Sequence, residues 1–160
     1  MTTHSGIGFD VHPLIKNRQL ILGGILIPFE KGLHGHSDGD VLIHAIIDAI
    51  LGGSGLGDIG THFPSNNATL KGISSIKLLE KTLLILKDNG WKTTYVDATI
   101  LAENPILSPF TKKISSNLAT SLNLDIQQIN IKAKSTNGLG FIGRGEGISA
   151  LAIATLDQIK

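Results

Sequence analysis

The sequence predicts a single α+β (α/β-like) domain over residues 1–160, with helices covering one face of a mixed β-sheet. Three observations predict it. A chain of 160 residues has the length of one domain, enough to bury roughly 70% of its unfolded surface. Apolar residues recur with period 2 in some segments and with helical spacing in others, in the order ββ(β)ααβαββ. No repeat, linker or low-complexity run divides the chain.

The elements follow in order. Residues 5–12 alternate small or polar with apolar side chains and read as a strand stopped by Pro13. Residues 19–28 read as two short strands joined at Gly23-Gly24, a hairpin signal. A loop from Gly32 to Asp40 leads to a helix over 41–51, where Leu42, Ile46, Ala49 and Ile50 share a face; Asp38 or Asp40 is placed to cap it. Five glycines between Gly52 and Gly60 punctuate a loop that runs to Pro64. Residues 73–88 form an amphipathic helix stopped by Asn89-Gly90. Val96, Ala98 and Ile100 alternate in a strand over 92–102. Ser108 as N-cap and Pro109 at the first helical position open a helix over 109–122. Strands over 129–135 and 147–157 then flank a glycine loop from Gly138 to Gly147.

Composition excludes several classes of function. The absence of Cys rules out a disulfide scaffold, a thiolate zinc finger, an iron–sulfur cluster and a cysteine nucleophile, so any metal must sit on His and carboxylate. With 14 basic against 13 acidic residues and only two arginines, Arg18 and Arg144, the chain lacks the basic patch that nucleic acid requires. The longest apolar stretch, 41–51, is interrupted by His44 and Asp48 and is too short for a bilayer. Charged residues are 17% of the chain against about 25% in typical domains, and mean hydropathy is +0.20; surface buried against other copies of the chain is the expectation. The opening residues carry neither a basic nor an apolar signal region, which points to a cytoplasmic location.

All six histidines lie within the first 62 positions. In Asp10-x-His12 both side chains project from one face of a strand, with Phe9 and Val11 on the other. Asp40, His44 and Asp48 stand at i, i+4 and i+8 on one helix face. Asp10, His12 and His44 thus make a three-ligand set without thiolates, the composition of a catalytic zinc site with an open position. The same donors also describe a non-haem iron oxygenase, and local capping or hydrogen bonding is the plainer alternative. The loop from His34 to Asp40 precedes a helix N-terminus, where free amides and the dipole favour a phosphate. A literal G-x-G-x-x-G at Gly138–Gly143 is not a dinucleotide fingerprint, because a strand rather than a helix is expected in the 17 residues that follow. It reads instead as a tight loop that brings Arg144 and Glu146 against another surface.

Four segments in this order, Gly6–His12, His36–Ala45, Leu56–Gly60 with Phe63-Pro64, and Leu139–Gly147, resemble the 2-C-methyl-D-erythritol 2,4-cyclodiphosphate synthase family. The resemblance covers residue 5 to about 155. It implies a phosphorus–oxygen lyase of the non-mevalonate isoprenoid pathway that converts 4-diphosphocytidyl-2-C-methyl-D-erythritol 2-phosphate to the cyclic diphosphate and CMP. It also implies a homotrimer with active sites between subunits. Asp10, His12 and His44 match the family's zinc ligands, and Val11 lies between the first two. His36 and Ser37 match a phosphate-contacting pair; Asp58, Ile59 and Gly60, with Phe63, Pro64, Ser65, Asn66 and Asn67, match the segment that holds methylerythritol. Ala102, Glu103, Asn104, Pro105, Ile106, Leu107 and Ser108 match the loop that receives cytosine. Lys134, Ser135, Thr136 and Asn137 match the stretch that holds the diphosphate and a second metal, Mg²⁺ or Mn²⁺, and Phe141 and Arg144 match further substrate or cavity positions. His36 and Ser135 are the candidates for stabilising transition-state charge. Arg144, with Glu146, is expected near a threefold axis, pairing across copies and lining a central cavity for an isoprenoid diphosphate. Three positions depart from the family: Ile106 replaces a Lys, Lys134 a hydroxyl residue, and Asn137 the Glu that binds the second metal.

Overall fold

The computed structural model describes residues 2–159. Its strands are β1 (Thr3–Lys16), β2 (Leu20–Leu22), β3 (Ile25–Ile27), β4 (Lys31–Leu33), β5 (Trp91–Leu101), β6 (Ile129–Lys134) and β7 (Gly147–Gln158). Five of them form one sheet in the order β4-β1-β7-β5-β6, while β2 and β3 pair as a separate hairpin. Only β5 and β6 run parallel; β1 lies antiparallel to β4 and β7, and β7 to β5. The sheet is mixed, as the sequence predicts. A parallel neighbour needs a crossover, and α4 (Thr111–Leu122) supplies it.

Along β7 the inward residues are Ile148, Ala150, Ala152, Ala154 and Leu156, all buried. Its alanines leave room for α1 (Val41–Gly53), which is apolar on nearly every side and correspondingly buried. α3 (Ser75–Asp88) and α4 complete the helical layer on this face, packing on β5 and β6. The opposite face stays open: Ile7, Phe9 and Val11 of β1 and Leu151 and Ile153 of β7 are each at least 40% exposed. In the register Ile7 faces Ile153 and Phe9 faces Leu151, so these side chains form one continuous apolar strip.

Two glycines set the distance between α1 and β1. A Cβ on Gly8 would collide with the carbonyl oxygen of Ala45, and one on Gly6 with that of Ala49. Without side chains at these two points the helix lies directly on the strand backbone.

The structure corrects the sequence reading at five places. Pro13 does not end β1, which continues to Lys16. The Pro13 carbonyl accepts from His34 N while Leu14 N donates to Glu146 O on the other side; the missing N–H of Pro13 therefore faces the point where β4 ends, where no ladder bond is lost. Gly32 and Leu33, expected as the start of a loop, belong to the edge strand β4 (Lys31–Leu33). The loop to Pro64 contains a helical turn, α2 (Ile59–His62), and the Gly138–Gly147 loop contains α5 (Gly140–Gly143). Ser108 is not an N-cap: Leu107 precedes a 3₁₀ turn over Ser108–Phe110 that leads into α4, and Ser108 makes no side-chain capping bond.

Candidate active site

The site begins at the N-terminus of α1. Asp40, fully buried, caps the helix: its Oδ1 accepts from Ile43 N at 3.1 Å and from Gly23 N at 3.0 Å, and its Oδ2 from Gly24 N at 2.7 Å. Both glycines of the β2–β3 hairpin have φ > 0, +59° and +73°, a conformation that glycine adopts without cost and that here aims both amides at one carboxylate. Burial pushes the Asp40 pKa up to about 6 against the pull of the amides. The expected common face of Asp40, His44 and Asp48 is thus divided. Asp40 turns to the hairpin, and Asp48 Oδ1 accepts from Ile59 N at 2.8 Å, fixing α2.

His44, one turn into α1, faces β1. Its Nδ1 lies 2.9 Å from Asp10 Oδ2 and 3.1 Å from His12 Nε2, and His12 Nε2 lies 2.9 Å from the same carboxylate oxygen. One donor atom from each residue falls within 4.8 Å of the others. Burial pushes the Asp10 carboxyl up, but bonds from His12 and His44 outweigh it and hold its pKa at about 2. Burial pushes His44 down, and the Asp10 carboxylate overrides this and raises it. Two imidazoles and one carboxylate converging within reach of a single ion suit a divalent cation of the zinc class. Val11, on the same strand, projects to the open face.

A cavity of about 280 Å³ opens beside the cluster, lined by Asp10, His12, His44, His36, Ser37, Ile59, Gly60, Phe63 and Ser65. His36, exposed, donates Nε2–H to Asn67 O at 3.1 Å. Asp58 caps α2 through Thr61, whose hydrogen bonds lower its pKa. Pro64 and Asn66, just beyond α2, are exposed. A second cavity, of about 150 Å³, is lined by Ala102, Glu103, Pro105, Ile106, Leu107, Ser108, Lys134 and Ser135, and shares no lining residue with the first. Ala102 N donates to Lys134 O at 2.9 Å and Thr136 N to Glu103 Oε2 at 3.3 Å, tying the two loops together. Asn137 has φ +54°, a left-handed conformation that Asn tolerates better than Glu does. Phe141 lies on α5 and is 42% exposed. Arg144 Nε donates to Glu146 Oε1 of its own chain at 2.7 Å.

Ser75 escaped the sequence reading, and so did the roles of Arg18, Asp38 and Asp48. Arg18 donates to the carbonyls of Gly35 and Ser37 at 3.1 and 2.6 Å and pins the loop before α1. Ser75 and Asp38 stand behind His44, and Asp48 holds α2. The scarcity of arginine marks Arg18 but not its partners; the others touch groups 11 to 37 residues away and leave no local pattern.

The profile of the YgbB family matches residues 3–157. A 2-C-methyl-D-erythritol 2,4-cyclodiphosphate synthase of Desulforamulus reducens is 54% identical over 153 residues, 96% of this chain and 98% of that protein. One from Clostridium acetobutylicum is also 54% identical, over 94% of this chain and 97% of that protein. The Plasmodium falciparum IspF structure in complex with CDP superposes with a TM-score of 0.85 at 34% identity, covering 99% of this chain and 97% of that one. Similarity at this level runs through both cavities and the strands between them, and the chain belongs to the YgbB family.

Proposed function

We propose that this chain is a 2-C-methyl-D-erythritol 2,4-cyclodiphosphate synthase, an enzyme of isoprenoid biosynthesis that forms the cyclic diphosphate and releases CMP. The observation that carries this reading is the convergence of Asp10, His12 and His44 at the mouth of a cavity walled by the phosphate-suited loop His36-Ser37. An oxygen of the substrate 2-phosphate attacks the β-phosphorus; a new P–O bond closes the ring, the bond to the α-phosphate breaks, and CMP departs. The nucleophile belongs to the substrate, so the protein supplies position and charge. Holding two anionic groups in attack geometry contributes up to roughly 7–11 kcal/mol.

Zn²⁺ on Asp10, His12 and His44 would supply Lewis-acid polarisation of the attacked phosphoryl group, and Mg²⁺ or Mn²⁺ near Asn137 would neutralise the diphosphate. Around that chemistry the chain's own groups are assigned roles. His36 and Ser37 take phosphate, Asp58, Ile59 and Gly60 with Phe63 hold the methylerythritol unit, residues 102–108 receive cytosine, and Ser135 faces the diphosphate. These two sets line separate cavities in one chain, which supports a homotrimer in which one subunit's cytosine loop meets another's metal cluster. The open apolar strip on β1 and β7 is the surface we assign to that assembly. Arg144, 61% exposed with Glu146, remains available to an isoprenoid diphosphate in a central cavity, and a cytoplasmic location completes the reading. Among the described residues no helix is long and apolar enough to cross a membrane.

Purified protein incubated with 4-diphosphocytidyl-2-C-methyl-D-erythritol 2-phosphate will release one CMP per substrate consumed, read by chromatography. Intact substrate after many equivalents of time and enzyme would overturn the proposal.

A further inference from the structure

His44 is held from both sides, and the second side determines which of its nitrogens faces the cluster. Its Nδ1 lies against Asp10 and His12, while Nε2 lies 2.9 Å from Ser75 Oγ and 3.0 Å from Ser37 Oγ. Ser75 is completely buried and opens α3. Asp38 receives two bonds from it: the hydroxyl donates to Oδ1 and the backbone N–H donates to Oδ2 at 2.9 Å. Asp40 N donates to the same Oδ1 at 3.1 Å.

The direction of the chain of bonds follows from the donor inventory. A carboxylate can only accept. Ser75 has one hydroxyl proton, which goes to Asp38, and what remains toward His44 is a lone pair. Nε2 must therefore carry a proton. Ser37 Oγ accepts from Gly39 N at 3.3 Å and has Ser75 Oγ at 3.4 Å to receive its own proton, so it does not reverse this order. We infer that Ser75 and Asp38 are positioning residues that keep a proton on His44 Nε2, so that Nδ1, which donates to Asp10 without a metal, is the nitrogen whose lone pair a metal takes. The inference rests on the metal-centre reading of Asp10, His12 and His44. Outer partners of this kind orient a ligand ring and set its basicity.

Protein labelled with ¹⁵N at histidine is examined by long-range ¹H–¹⁵N correlation, metal-free and after adding zinc. The expected result is a protonated, slowly exchanging Nε2 on His44 in both states. In Asp38→Ala no carboxylate takes the Ser75 proton, so the hydroxyl turns toward His44 and the imidazole proton moves to Nδ1. Ser75→Ala leaves Nε2 without an anchor, and its proton exchanges rapidly. Both variants lose zinc affinity by roughly 10- to 100-fold in chelator competition. A bare Nε2 in the wild-type protein, or wild-type spectra and affinity in both variants, overturns the inference. The wild-type spectrum decides the point even if a variant fails to fold. A protonated Nε2 in a protein that takes up no zinc would leave the relay standing and defeat the metal-centre reading instead.

Discussion

Asp40 and Asn137 show how a single polar residue is governed by the backbone around it. Asp40 is a fully buried carboxyl whose pKa burial raises from 3.8 to about 6. Between these values the folded state holds a proton that the unfolded chain has released, so stability falls as pH rises through this window. The contribution is fully present below about pH 4 and lost above about pH 6, a change on the order of 3 kcal/mol. Urea unfolding of wild type and Asp40→Asn at pH 4 and pH 7 measures it: the difference in unfolding free energy should move in favour of the variant by that amount. Asn137 offers a metal only a neutral carbonyl. Because it sits at φ +54°, Asp is the substitution that adds a charged oxygen with least backbone strain. Asn137→Asp should lower half-saturating Mg²⁺ for CMP release by about tenfold, equivalent to ~1.4 kcal/mol; coincident titrations would remove Asn137 from the metal.

The contact of α1 with β1 assembles the cluster, since β1 carries Asp10 and His12 and α1 carries His44. Gly8→Ala places a methyl group against the Ala45 carbonyl. Overpacking of this kind costs about 1–3 kcal/mol, and moving the helix also moves His44. The variant should melt at lower temperature and bind zinc more weakly than wild type; unchanged values of both would mean that the contact does not set the geometry. This pairing was legible in the sequence because period 2 and helical spacing each placed ligands on one face. Helix and strand cores were legible for the same reason. What the pattern missed depends on partners: β1 passes Pro13 because β4 ends there, β4 exists only through β1, and Ser75 meets Asp38 and His44 across 37 and 31 residues. Glycine-rich segments hid α2 and α5, since their turns are held by capping and backbone bonds rather than by apolar spacing.

At the scale of the whole molecule, low charge and an open apolar strip predict self-association, and two separate cavities predict that association completes the site. Ile153, 48% exposed in the strip opposite Ile7, tests both. Ile153→Asp should sediment as a monomer, keep its zinc and release no CMP; a wild-type protein that sediments as a monomer at micromolar concentration would end this part of the account. The central claim is that the Asp10–His12–His44 cluster drives cyclisation through a bound metal. The most direct measurement is the rate of CMP release after dialysis against a chelator and again after zinc is restored, with Mg²⁺ held constant. Turnover is expected to fall to background without zinc and to return with about one zinc per subunit. Full activity in protein shown to be free of metal at this cluster would contradict it.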